Sequence, residues 1–190
     1  LDMCSAPGSK TTHLSALMEN QGKIEAYDLY EHKVKLVEYN LRRLGVKNVH
    51  VQAGDSTKLI ERYPPETFDR ILLDAPCSGL GVLGHKVELR WRRKESDLSV
   101  FPPLQKQLIE QAAKYTKTGG VLVYSTCTLN PDENEHIINE FLSLHSEFAP
   151  EEFNFPVLGK SLNGMMTLYP DLVRSDGFFV AKLRKVSHEA

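Results

Sequence analysis

The chain has 190 residues, 25 acidic and 23 basic side chains and a net charge of −2. That length suits one domain with a sizeable core, and the near-neutral balance does not announce a nucleic-acid binder, so any such binding must rest on local patches. No apolar run is long enough to span a bilayer, there is no signal peptide, and three cysteines without CxxC spacing argue against a disulfide framework or a zinc site. A reducing, cytoplasmic compartment follows as the expectation.

In chain order, Leu1-Asp2-Met3 reads as the end of a first strand, most of which would lie upstream of this sequence. Cys4-Ser5-Ala6-Pro7-Gly8-Ser9-Lys10 is a loop of small residues that lets a backbone approach a ligand closely and opens a helix whose free N–H groups face that ligand. Leu14, Leu17 and Met18 have helical spacing, and Gly22 stops that helix. Ile24 to Asp28 reads as a second strand ending in a carboxylate. Asp28 follows Gly8 by 20 residues, the place expected for a ribose-binding acid in a nucleotide-binding βαβ unit. The glycine loop matches neither GxGxxG nor GxxxxGK[ST], which favours a ligand without pyrophosphate, such as S-adenosylmethionine.

Val34, Val37, Leu41 and Leu44 form the stripe of the next helix, closed by Gly45, and Asn48 to Ala53 is a third strand followed by Gly54-Asp55. The central stretch comes next. Ile71-Leu72-Leu73 is a buried parallel strand that ends in Asp74, and Pro76 stiffens the loop that carries Cys77, Ser78 and Gly79. Ligands in open α/β sheets bind beyond the carboxyl ends of the strands, so Asp28, Asp55, Asp74 and Cys77 would share one rim. Gly84 to Lys94 is a basic stretch, with Lys86, Arg90, Arg92 and Arg93 around Trp91. That composition suits a phosphate backbone and a stacked base as well as it suits a solvated loop.

A helix over 103–117 packs Leu104, Leu108, Ile109 and Ala112 inward. Gly119-Gly120 ends it and opens the strand Val121 to Tyr124, which runs into Ser125-Thr126-Cys127. Asn130 caps the next helix, with Pro131 at its first position, Asp132 and Glu133 in its first turn, and Ile137, Ile138, Phe141 and Leu142 on its buried face. Two closing strands are expected, at 165–169 and 178–183.

If the strands ending at Asp74 and Cys127 are neighbours, both thiols and Asp74 converge on one pocket. Cytosine C5 is too weak a nucleophile to attack a methyl donor. A thiolate added at C6 makes C5 enamine-like, an acid steadies charge at N3, and a base later removes the C5 proton so that the thiol can leave. The residues alone do not say which thiol attacks.

The stretches Asp2 to Lys10, Asp28, Gly54-Asp55, Asp74 to Gly79, Tyr124 to Thr128, Asn130 to Asn134 and Asp176 to Phe179 resemble the catalytic domain of the RNA 5-cytosine methyltransferases of the Sun/Nol/Fmu family, over essentially the whole chain. The resemblance implies an α/β, Rossmann-like class I S-adenosylmethionine-dependent methyltransferase fold. Its seven-stranded, mostly parallel sheet would carry helices on both faces, with the first strand truncated here. It implies that residues 1–190 are one catalytic domain, preceded in the bacterial branch by a helical RNA-binding domain. Cys4, Ser5, Ala6, Pro7, Gly8, Ser9, Lys10, Asp28, Asp55 and Asp74 would line the cofactor site. Cys127 would be the nucleophile, Cys77 the thiol needed for release, and Lys10 and Asp74 would also touch the base. Lys86, Arg90, Trp91, Arg92 and Arg93 would face RNA, with 16S ribosomal RNA as the expected partner, no membrane, no metal, and a monomeric protein. Ser9 stands where the family usually has a second glycine, and a side chain there would strain a positive φ.

Three rivals remain. A DNA cytosine methyltransferase would attack with Cys77 and need a target-recognition domain for which the chain has no room. A catalytically idle RNA-binding scaffold would not need Cys77, Cys127, Asp74 and Lys10 together. A nicotinamide oxidoreductase lacks its glycine fingerprint. The same methylation on tRNA or another RNA is the alternative substrate reading.

Overall fold

The structure is a computed structural model and describes residues 1–58, 62–156 and 158–187. Helix α1 (Ser9–Leu17) leads to strand β1 (Ile24–Asp28), helix α2 (Glu31–Arg43) and strand β2 (Val49–Ala53). Strand β3 (Phe68–Asp74), the short helices α3 (Leu89–Arg92) and α4 (Glu95–Leu98), helix α5 (Phe101–Tyr115) and strand β4 (Thr116–Thr126) follow. Helix α6 (Glu135–Leu144), strands β5 (Phe148–Pro150), β6 (Asn154–Phe155), β7 (Gly159–Lys160) and β8 (Met165–Leu168), helix α7 (Pro170–Val173) and strand β9 (Phe178–Lys185) complete the order.

β1 and β2 pair in parallel, as do β3 and β4, whereas β9 runs antiparallel to β4, β5 and β8. The sheet is therefore parallel in the half that carries the predicted site and antiparallel beyond it, where strands can pair without the long crossovers that parallel pairing needs. The two halves meet at Asp2, which bridges Ala26 on one side and Leu72 on the other, as a strand end at Leu1-Asp2-Met3 requires. α2 packs on β1 and β2, α5 on β3 and β4, and α6 on α5. Ile71, Leu73, Leu108, Ile109, Leu122, Tyr124, Ile137, Ile138 and Phe179 form the centre of the core. Each fully buried aliphatic or aromatic side chain contributes about 1.5–3 kcal/mol relative to exposure.

Three expectations change. Leu14, Leu17 and Met18 do not enter the core. α1 buries Thr11, Thr12 and Ser15 instead, and its apolar stripe lines an open groove of about 430 Å³ with Leu72, Val121 and Val123. α5 ends at Tyr115 rather than running to 117, and β4 begins before the two glycines. Tyr115 and Thr116 are fully buried, and Thr116 Oγ1 donates to Ala112 O, so the chain turns into the sheet there and the register shifts along 117–120. The helix after Asn130 is split into a 3-10 turn (Pro131–Glu133) and α6, with the break at Asn134. Asn130 does cap the turn, accepting from Asp132 N, but Glu133 points into the protein and Asn134 donates to Thr128 O, so the first turn is not the solvated acidic one that the sequence suggests.

Candidate active site

The parallel pairing of β3 with β4 sets Asp74 opposite Ser125. One Asp74 oxygen accepts from Ser125 Oγ at 2.7 Å, and the other accepts from Lys10 Nζ at 2.7 Å. Lys10, in the first turn of α1, also lies 5.3 Å from the centre of the Phe178 ring. Past the strand ends the two thiols meet, with Cys77 Sγ 3.3 Å from Cys127 Sγ. The loops that carry them are fastened backbone to backbone: Gly81 N donates to Cys127 O and Gly177 N donates to Gly81 O. A Cβ on Gly81 would lie 2.3 Å from Gly177 O, so no other residue fits there.

The thiols are inequivalent. The hydrogen bond between the two thiols is the largest influence on Cys127 and lowers its pKa to about 7, against burial and the Asp74 charge and with help from the positive charges of Lys86 and Lys10. The same hydrogen bond, together with burial, pushes Cys77 far up. The directions make Cys127 the thiol of the pair that reaches the nucleophilic thiolate form more readily. Cys4, by contrast, is pushed up by burial with the nearby Asp2, Asp28 and Asp74 charges adding to the effect.

The loop 4–8 runs beside the end of β1. Ser5 N donates to Tyr27 O, Ala6 N donates to one Asp28 oxygen at 3.2 Å, and Tyr30 N donates to the other at 3.3 Å. Asn40 Nδ2 holds Pro7 O from α2. Gly8 has φ +102°, and a side chain there would press on Val37, so glycine is needed. Ser9 opens α1 without a positive φ, so its side chain is free of the strain that a left-handed position would impose. Asp55 is held by its own turn: one oxygen accepts from Thr57 N and Thr57 Oγ1, which is the main cause of its lowered pKa, and Lys58 lies beyond.

The basic stretch divides. Lys86, Arg90, Trp91 and Arg92 are exposed, Trp91 to 86%. Arg93 is half-buried and bound inward, with Nε donating to Ser78 O at 2.7 Å and Nη2 to Cys77 O at 3.3 Å. Its guanidinium also lies 5.0 Å over the Phe101 ring.

Sequence reasoning missed Glu133, which is fully buried between the two thiol loops. Its carboxylate accepts from Ser78 N, Ser78 Oγ, Gln105 Nε2 and Asn130 Nδ2, and its carbonyl accepts from Tyr124 Oη. An acid after Pro-Asp looks like an exposed first-turn residue, and its partners are distant in sequence. The one signal that could have found it is the apolar character of the helix face beside it.

A family model for the 16S rRNA methyltransferases RsmB/F matches residues 1–184. The chain belongs to this family. A probable ribosomal RNA small subunit methyltransferase B from Synechocystis is 42% identical over 188 residues, covering 97% of this chain and 42% of that protein. The crystal structure of PH0851 superposes with a TM-score of 0.92 at 40% identity, over 97% of this chain and 42% of that one. NSun6 from Pyrococcus horikoshii, solved with the S-adenosylmethionine analogue SFG, superposes with a TM-score of 0.84 at 40% identity, over 98% of this chain and 47% of that one. The chain thus spans less than half the length of these relatives.

S-adenosylmethionine is the cofactor that goes with RsmB/F methyltransferases, and the residues here suit it. Ser5 Oγ is buried in the loop without a partner, and the carboxylates of Asp28, Asp55 and Asp74 stand at successive strand ends. An adenosine with a free ribose and a charged amino-acid tail asks for that mixture of acceptors and small loop residues.

Proposed function

We propose that this chain is the catalytic domain of an enzyme that methylates C5 of a cytosine in small-subunit ribosomal RNA through a covalent Cys127–C6 adduct. The observation that carries the reading is the thiol pair at 3.3 Å beside the Lys10–Asp74 ion pair, with the pKa of Cys127 lowered and that of Cys77 raised.

S-adenosylmethionine, when bound, supplies the methyl group. Cys127 Sγ adds to C6, and the electron pair of the C5=C6 bond becomes available at C5. Lys10 and Asp74, bonded to each other at the rim, hold charge and hydrogen bonds at the N3 and amino edge of the base while the ring is dearomatised. After transfer the C5 proton goes to a base, the electron pair re-forms C5=C6, and sulfur leaves as the Cys127 thiolate. Cys77 serves this release by donating its S–H to the departing sulfur, from which it lies 3.3 Å away in the resting site. Cys4, Ser5, Ala6, Pro7, Gly8, Ser9, Lys10, Asp28, Asp55 and Asp74 hold the cofactor, with Asp28 on the ribose. Lys86, Arg90, Trp91 and Arg92 face the RNA. The family's seven-stranded sheet follows if upstream residues extend the Asp2 segment between β1 and β3.

The test is adduct trapping with the two thiol variants. Cys127→Ala is expected to be inactive and to form no protein–RNA adduct. Cys77→Ala is expected to attack but not release, so that an adduct survives denaturing electrophoresis. The opposite pattern would assign attack to Cys77. Full activity in both variants would end the two-thiol mechanism.

A further inference from the structure

The strand ladder of β3 stops at Ala75, whose N–H donates to Ser125 O, and resumes with Gly81 N on Cys127 O. Between these points the Cys77 segment is held by side chains. Gln105 Nε2 donates to Pro76 O, Arg93 donates to Cys77 O and Ser78 O, and Glu133 accepts from Ser78 N and Ser78 Oγ. The Cys77-Ser78 segment thus sits between a guanidinium that donates to the carbonyls of Cys77 and Ser78 and a carboxylate that accepts from the Ser78 amide between them.

Arg93 is the member of this clamp that reaches the surface. It is the C-cap of α3, and α3 carries the exposed Arg90, Trp91 and Arg92. Its planar fork donates to two successive carbonyls while its face lies over Phe101, a combination that a lysine ammonium, a point charge on a flexible stem, does not reproduce. We propose that Arg93 is a positioning residue that holds the Cys77 thiol against Cys127 and ties the exposed Arg90–Trp91–Arg92 face to that thiol. The inference deepens the proposed function and rests on it for the role of Cys77 in release. RNA engaging α3 would bear on the release thiol directly through Arg93, whereas Cys127 lies just past the end of β4 and is joined to the Cys77 loop through the Gly81 N–Cys127 O bond and the thiol pair.

The experiment compares Arg93→Ala, Arg93→Lys, Arg90→Ala and Cys77→Ala in the full chain. The first readout needs no RNA: the equilibrium of the Cys77–Cys127 disulfide in glutathione buffers, quantified by peptide mass spectrometry. In that exchange the two protein thiols lose two electrons and two protons to form the S–S bond, and one glutathione disulfide is reduced to two glutathiones. Arg93→Ala is expected to disfavour the protein disulfide at least tenfold, about 30 mV in potential, with Arg93→Lys between it and the wild type and Arg90→Ala unchanged. The second readout is incubation with small-subunit ribosomal RNA and S-adenosylmethionine, in which Arg93→Ala is expected to accumulate adduct as Cys77→Ala does. A wild-type potential in both Arg93 variants, even with a lowered unfolding temperature, would overturn the inference and leave Arg93 a simple brace. Adduct in Cys77→Ala but none in Arg93→Ala would overturn its link to release. Absence of adduct in Cys77→Ala would instead bring down the two-thiol reading itself, while the potential still judges whether Arg93 holds the pair.

Discussion

The carboxyl ends of β3–β4 and β1–β2 share one pattern, a parallel pair leading into acids and small residues, yet they are held in different ways. At the β3–β4 end both oxygens of Asp74 are engaged by side chains, and Ser78, Thr128 and Glu133 form a buried network that crosses between loops. At the β1–β2 end Asp28 accepts two amides at 3.2 and 3.3 Å and Asp55 is held within its own turn. Each carboxylate accepts two hydrogen bonds, but Asp74 takes them from side chains and Asp28 from backbone amides. The difference matches the two tasks proposed for these ends. Reacting groups need fixed mutual geometry, because a small misplacement costs orders of magnitude in rate. Binding groups need an anchored loop that leaves further acceptor sites open.

The largest break in that comparison should come at the thiols. Wild-type adduct formation should rise with pH through about 7, because below that value Cys127 is protonated and its sulfur is a poor nucleophile. In Cys77→Ala the same profile should move to higher pH, since the Cys77 hydrogen bond is the leading cause of the lowered value. Single-turnover adduct formation against pH checks this, and an unmoved profile would show that Lys10 and Lys86 suffice.

Next is the buried network. Glu133→Ala strands the Ser78 amide and the Gln105 amide, and should destabilise the fold by about 3 kcal/mol or more. Thr57→Ala, at the matching turn beside Asp55, should cost under about 1 kcal/mol because its partners are reached by water. Denaturant unfolding of the two variants would sharpen the contrast, and equal losses would erase it.

For the open end, Asp28→Ala should weaken S-adenosylmethionine binding about tenfold to a hundredfold, the worth of a charge-assisted hydrogen bond of about 1.5–3 kcal/mol, with little change in unfolding. Calorimetry on the folded variant decides it. The smallest effect belongs to the surface. Replacing Arg90 or Arg92 with Ala should reduce the salt slope of RNA binding by about 0.7–0.9 for each phosphate that the side chain had neutralised, and leave cofactor affinity unchanged.

Much of this is legible in the sequence because apolar runs that end in acids announce strands and their carboxyl ends. Ile24 to Asp28 and Ile71 to Asp74 are placed on that ground, and Cys77 and Cys127 fall beside each other once the strands that lead to them are neighbours. Periodicity reports only what is local, and it misleads where burial depends on distant partners. Leu17 has helical spacing with Leu14 yet is 70% exposed, and Glu133 resembles a solvated helix acid yet is fully buried. The sequence by itself determined the main helices and strands of the parallel half and the acids at the strand ends, and it suggested the chemistry that two thiols and a methyl donor allow, but not the short elements α3, α4, β5 to β7 and α7. Tertiary structure alone decided which thiol has its pKa lowered by the other and which arginine turns inward. Those outcomes hang on a hydrogen bond between residues 50 apart and on the reach of Arg93 to carbonyls 15 and 16 residues away, and such charge and hydrogen-bond effects exist only once the loops are folded together.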